Sequence, residues 1–369
     1  MRGRPELFTR YEADAAMLPN NTQRFWLVAG LVIALVAPLW LPRDWMILLS
    51  RAYVAAIGVI GLNLVTGYAG QVSLGHAFFI GVGAYAGAAF GGAPRDDVWG
   101  LGLDMLIWVP AAGLVAAAIG ALVAPIALRL KGLYLALVTL GLVFLGEHIF
   151  REWDVLTGGA ATGREPAQLL LLGYRFDLDG SVGSLMVRRE LQIYWVMLVL
   201  LVIMALLAKN LMRSRVGRAF AAVRDRDIAA EVMGIDLTRT KILAFAISSF
   251  YAGVAGALLF TVTGFVNATS FNLLLSFTYI AMVVIGGAAS IAGSIMGAVF
   301  LTMLPRVIDA LGDVLPFFET ASTGLLSTAT LERILFGLLI VGFLIFEPLG
   351  LYGIWIRVRN YWKAWPFSY

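Results

Sequence analysis

Residues 52–90 read AYVAAIGVIGLNLVTGYAGQVSLGHAFFIGVGAYAGAAF. An apolar segment over 46–66 runs into the break Gly67-Tyr68-Ala69-Gly70-Gln71-Val72-Ser73-Leu74-Gly75-His76, and a second apolar segment, 71–90, overlaps that break and carries on. A helix needs about 20 apolar residues to cross a bilayer. Working outward, further apolar stretches fall at 25–41, 105–128, 131–150, 191–208, 241–263, 271–288, 291–309 and 333–351. The pattern predicts an all-α polytopic membrane protein of about ten transmembrane helices.

Composition agrees with this pattern. The 369-residue chain is 60% hydrophobic and 14% charged, against about 45–50% and about 25% in soluble domains. Its mean hydropathy is +0.87. A multi-domain soluble enzyme, a disordered chain and a fibrous protein are excluded. The expected organisation is a polar tail at 1–24, a transmembrane domain at 25–356 and a second tail at 357–369. Residues 1–24 lack the short apolar core of a secretory signal.

The net charge of +4 (27 Lys and Arg against 23 Asp and Glu) reads as basic cytoplasmic loops and not as nucleic-acid binding. With the N-terminus inside, 17 of the 27 basic residues fall on the inner side, so both termini are expected in the cytoplasm. Eight of them lie in the 209–241 segment: Lys209, Arg213, Arg215, Arg218, Arg224, Arg226, Arg239 and Lys241. Residues 217–233 are mostly helix formers and Gly234 stands where a helix-terminating glycine would. This segment reads as a short cytoplasmic helix on the membrane surface, or as a basic loop that serves topology alone. The long outer connection, 151–190, contains alternating residues at Tyr174–Asp179 suited to a small hairpin.

The first break has an echo. After Met282–Ile285 comes Gly286-Gly287-Ala288-Ala289-Ser290-Ile291-Ala292-Gly293-Ser294, followed by another apolar segment. Paired Gly-interrupted segments in two halves mark transport sites, because broken helices expose backbone dipoles near the midplane. Close helix packing through small residues gives the same pattern. On the transport reading the substrate path includes Gly67, Tyr68, Gln71, Ser73, Gly75, His76, Gly286, Gly287 and Ser290, with Gln71 and Ser73 offering neutral donors and acceptors.

Several chemistries are unsupported. No Gly-x-x-x-x-Gly-Lys-Ser/Thr run occurs, so the chain lacks that phosphate loop. Ser73 and His76, fixed three residues apart in one break, do not make a hydrolytic dyad. The absence of cysteine and the presence of only two histidines, His76 and His148, argue against a metal site; no cofactor is expected. Arg51, Glu147, His148 and Glu347 lie near span ends, where snorkelling is inexpensive. No central carboxylate or histidine relay is present, which weakens a proton-coupled carrier but leaves a sodium-coupled one open.

The run Gly61–Phe79 resembles the signature of bacterial branched-chain amino-acid ABC importer permeases. So do Lys131–Gly141, the turn Leu156-Thr157-Gly158-Gly159, the inner stretches Ser214–Arg224 and Ala230–Ile235, Ala281–Gly287 and Phe346-Glu347-Pro348-Leu349-Gly350-Leu351. These motifs occur in the same order over residues 45–355 and are closer to the M-type subunit than to its shorter H-type paralogue. The chain differs from the pattern at Gly158–Gly163 and over 310–330. The resemblance implies an ABC importer permease fold: a heterodimer with an H-type permease, two ABC ATPase subunits below it, and a periplasmic solute-binding protein that delivers the solute. It also implies an inner-membrane location and no enzymatic activity in this chain, ATP hydrolysis being the partners' work. Gly217, Arg218, Arg224, Glu231 and Gly234 would then form the ATPase-coupling segment, with Gly217 and Gly234 at the helix ends. Leucine, isoleucine or valine is the implied solute class; relatives of this kind move urea, short amides or aromatic acids.

Overall fold

A computed structural model describes residues 21–94, 98–128, 133–159, 164–182, 185–265, 267–314 and 328–364. The expected tail at 1–20, the departures at 160–163 and 315–327, and the inner residues Arg129 and Lys131 lie outside the described residues.

The described chain is mostly helical. Helix α1 (Asn21–Val36) ends in a short 3₁₀ turn at Ala37–Leu39, where Pro38 and Pro42 remove backbone donors. Helices α2 (Arg43–Asn63), α3 (His76–Gly91), α4 (Met105–Leu128) and α5 (Leu133–Glu152) follow, then the single turn α6 (Asp154–Thr157). Two antiparallel hairpins come next: β1 (Leu170–Leu171) with β2 (Tyr174–Arg175), and β3 (Gly180–Val182) with β4 (Leu185–Val187). The second half holds α7 (Arg189–Arg213), α8 (Arg215–Asp225), α9 (Asp227–Val232), α10 (Leu237–Thr263), α11 (Leu273–Gly286), α12 (Ile291–Val314), α13 (Thr328–Phe346) and α14 (Gly350–Ala364).

Six of the described helices are long and apolar enough to cross a membrane: the α2 segment extended to Tyr68, α4, α5, α7, α10 and α12. Three shorter apolar helices, at Arg24–Leu39, α3 and α11, and the α13–α14 pair, bent by 45°, complete the apolar stock. At about 1.5 Å per residue, α3 is roughly 24 Å long and α11 roughly 21 Å, short of the ~30 Å hydrocarbon layer.

Helix α3 is apolar on every side, and all of it except Phe90 is buried; a helix of that kind belongs in a core. It lies against α10 and α4, and α10 also packs along α2. Small residues allow this approach: a side chain at Gly83 would collide with the Gly253 backbone, and one at Gly256 with that of Ile80. Helices α7 and α12 flank α2. Local sequence sets several helix starts. Ser214 caps α8 by accepting from Val216 N at 3.2 Å, Asp236 caps α10 from Arg239 N at 3.0 Å, and Asn272 caps α11 from Leu275 N at 3.1 Å.

Two ends of the bundle can be told apart. At one, Arg43 pairs with Glu190 at 2.5 Å, and Arg164 donates to the carbonyl oxygens of Leu156, Ala88 and Trp99 at 2.5–2.6 Å. Burial pushes the Arg164 guanidinium down to about 10, so it stays charged at neutral pH and neutralises the carbonyl end of α3. The other end carries α8 and α9. The structure corrects one expected element: the single helix expected at 217–233 is two, parted by the extended backbone of Arg226; residues 357–364 are helical, as the end of α14.

Candidate functional site

The first break begins inside α2. The helix loosens into a π turn over Leu64–Tyr68, with Ala69 N bonded to Leu64 O at 3.1 Å and Gln71 N to Val65 O at 2.9 Å. Such bulges concentrate at functional positions. The second break lies between α11 and α12, where Ser290 Oγ accepts from Gly293 N at 3.0 Å. Here Ala289 holds φ +57°, a left-handed value uncommon for a residue with a Cβ.

The two breaks form one unit, and Asn63 joins them. Its Nδ2 donates to Ser290 O at 3.0 Å and to Ser294 Oγ at 2.7 Å, and its Oδ1 accepts from Ala289 N at 2.8 Å. Gly67 leaves room for this contact: a Cβ there would collide with Asn63 Oδ1 and crowd Ala289 N at 2.5 Å. Tyr68 meets the Ile291 backbone at the start of α12. Beyond Gly287, the turn into α14 closes the far side, since a Cβ at Gly350 would lie 2.5 Å from Ile285 O and 2.7 Å from Gly287 N. Gly286 in turn rests on the Gly293 backbone.

The rest of the first break is held by other helices. Leu74 N donates to Thr139 Oγ1 of α5 at 2.9 Å, and Gly75 faces the Thr139 carbonyl. Ala77 N donates to Ser276 Oγ of α11 at 3.0 Å, which satisfies one of the orphan donors at the start of α3. The His76 ring lies 5.1 Å from that of Tyr279 and tilted to it by 53°, beside the Gly58 backbone. Gln71 Nε2 and His76 Nε2 are buried without a protein partner. Gln71, Ser73, His76 and Ser290 are between 2% and 8% exposed, so in this conformation they line no open channel. The structure thus brings Gly67 and Tyr68 against the second break, with Gly286, Gly287 and Ser290, while Gly75 and His76 pack on α5 and α11. The 67–70 portion lies against α8.

That placement is fixed by Arg224, which donates from Nη1 to Gly67 O at 2.9 Å and covers Gly70 with its side chain. Arg218 Nη1 donates to Arg213 O at 3.1 Å, at the carbonyl end of α7. Gly217 lies in the first turn of α8, not at its boundary as expected, and lets that turn approach the Met212 backbone. Gly234 holds φ +84° after α9, with Ile235 N bonded to Ala230 O at 3.0 Å, the closure that a left-handed glycine permits. Glu231 is exposed. Around it Ile228 is 73% exposed, and Val232 and Met233 each 82%. These three apolar side chains are bared together on a charged segment.

The apolar face of α8 (Phe220 and Val223) is buried. This segment therefore grips the Gly-rich unit on one side and offers an apolar tip on the other. The family described as the permease component of the branched-chain amino acid transport system matches residues 46–344. The chain belongs to that family. Over 293 residues the permease is 33% identical to the high-affinity branched-chain amino acid transport system permease protein LivM of Salmonella typhimurium, covering 76% of this chain and 67% of that protein. It is 32% identical, with the same coverage, to LivM of Escherichia coli K12. It is 25% identical over 199 residues to the probable branched-chain amino acid transport permease protein LivH of Methanocaldococcus jannaschii, covering 54% of this chain and 58% of that one. No solved structure matches the permease.

Sequence reading passed over Asn63, Thr139, Ser276 and Arg164. Asn63 had a usable signal, a carboxamide inside an apolar span. Thr139 and Ser276 had none, because a hydroxyl in a membrane helix ordinarily bonds back to its own turn, as Thr139 also does to Leu135 O and Ala136 O.

Proposed function

We propose that this permease is the M-type transmembrane subunit of an ATP-driven importer that moves leucine, isoleucine, valine or a related small solute inward by alternating access. The observation that carries the reading is the two-sided α8–α9 segment. Arg224 holds the Gly67 carbonyl of the break, while Ile228, Val232 and Met233 stand exposed around Glu231. On this reading the exposed tip enters a cleft of an ABC ATPase, and α8 carries the rigid-body movement of that ATPase to the spans. The absence of a phosphate loop in the sequence agrees with nucleotide chemistry on another chain.

The six long spans, the three shorter apolar helices and the bent α13–α14 pair support about ten crossings of a bacterial inner membrane. With eight basic residues, the 209–241 segment belongs on the cytoplasmic side, and both termini with it. The partners would be an H-type permease paralogue, two ATPase subunits and a periplasmic solute-binding protein. The branched aliphatic solute class is that named for the LivM relatives; urea, short amides or aromatic acids are the alternative cargo of the same machine.

The deciding experiment compares vesicles that hold the permease pair with and without its ATPases. Leucine uptake is expected only with the ATPases and ATP. Strong uptake driven by an ion gradient in their absence would make this a secondary carrier.

A further inference from the structure

We infer that Asn63 is a latch: it holds the two Gly-rich breaks together in the closed state, and release of its contacts opens the way between them. The inference rests on the permease reading above and adds to it a specific positioning residue.

The geometry is one-sided in a way ordinary packing does not require. Asn63 is 1% exposed, and the four hydrogen bonds of its carboxamide end on Gly287, Ala289, Ser290 and Ser294, 224–231 residues away in sequence. The Asn63 side chain has no short hydrogen bond to its own helix that would hold it if the breaks separated. Its bonds are neutral and individually modest, and water can replace each of them, so they suit a contact made and broken in every cycle.

The segment that Asn63 holds is itself poised. Ala289 sits at φ +57°, a backbone state that persists where its surroundings enforce it and that clusters in switch regions. The Asn63 Oδ1 bond to Ala289 N is part of that enforcement. One turn past Asn63, the Gly67 carbonyl is held by Arg224, so a displacement of α8 pulls on the same turn. Breaking the latch would uncover Ser290, which is 7% exposed and whose carbonyl Asn63 holds.

The test uses the assembled transporter in proteoliposomes, with leucine as the probe solute. Wild type, Asn63→Ala, Ser294→Ala and the double variant are compared by leucine moved per ATP hydrolysed, a ratio that does not depend on how much protein folds. Asn63→Ala is expected to lower the ratio about tenfold, within the span of ordinary conformational couplings. Ser294→Ala should lower it less, and the double variant should be no worse than Asn63→Ala alone, as for residues acting through one contact. An unchanged ratio in Asn63→Ala overturns the latch; should that variant fail to assemble, an unchanged ratio in Ser294→Ala does so.

A second readout is independent of the solute. A single cysteine at Ser290, in a chain with none of its own, should react faster with a water-soluble thiol reagent when Asn63 is alanine. If wild type moves no leucine, the assigned solute or the importer reading fails and this rate alone judges the latch. Equal rates in the two backgrounds overturn it.

Discussion

Arg224 and Gly67, 157 residues apart in the chain, are joined by a 2.9 Å hydrogen bond from the guanidinium to a backbone carbonyl that the π turn frees from regular helical pairing. The bond ties the surface helix α8 to the loosened end of α2, so neither moves without the other.

Arg224→Ala should therefore leave the subunit inserted and assembled but reduce ATP-driven uptake. A hydrogen bond from a charged donor contributes about 1.5–3 kcal/mol, and partial exposure of this guanidinium favours the lower end, so about a tenfold loss is expected. Arg224→Lys keeps the charge but not the fork and should fall between. Uptake rate against assembled complex is the measurement; wild-type uptake in Arg224→Ala would refute the transmission role.

Gly234 closes α9 in a left-handed conformation with open space around it. A valine there meets no neighbour but bears a backbone cost of about 1–2 kcal/mol, which the chain relieves by redirecting the exit from α9. Gly234→Val is expected to insert normally, to lose co-purification with the ATPase and to lose solute-stimulated hydrolysis. Retention of both would remove 209–241 from the coupling role.

Single cysteines at Gln71, Ser73 and Ser290 report on the closed unit. All three positions are less than a tenth exposed here, so slow reaction with small water-soluble thiol reagents is expected in the resting state. Reaction should speed up in one nucleotide state. Silence at all three in every state of an active transporter would make the breaks packing features and place the path elsewhere.

Arg164 gathers three segments at the opposite end of the bundle through three carbonyl oxygens. Arg164→Gln cannot reproduce that set and leaves buried carbonyls unsatisfied, a loss of roughly 2–4 kcal/mol. Arg164→Lys should recover little, because an ammonium is a point donor without the planar reach. Thermal unfolding of the detergent-solubilised protein measures both; midpoints equal to wild type would show the clamp to be dispensable.

Much of this was legible along the chain. The apolar stretches sit where the helices are found and Gly234 ends a helix as its position indicated, whereas of the hairpin expected at Tyr174–Asp179 only Tyr174–Arg175 is strand and 176–179 link two ribbons. The boundaries that slipped did so for local reasons. Arg226 is extended and divides one expected helix into two, and the chain past Glu347 bends and resumes as the helix α14.

Sequence alone determined that this is a mostly helical membrane protein with two Gly-rich interruptions and a basic surface segment, since length, apolarity and turn chemistry act locally. Only the tertiary structure decided that α3 is the buried centre, that the two interruptions are one unit clasped by Asn63, and that Arg224 faces that unit. Lipid-facing and protein-facing sides of a membrane helix are equally apolar, so hydrophobic pattern cannot say which surfaces meet. A hydrogen bond between residues more than 200 positions apart leaves no periodic trace in the sequence that makes it.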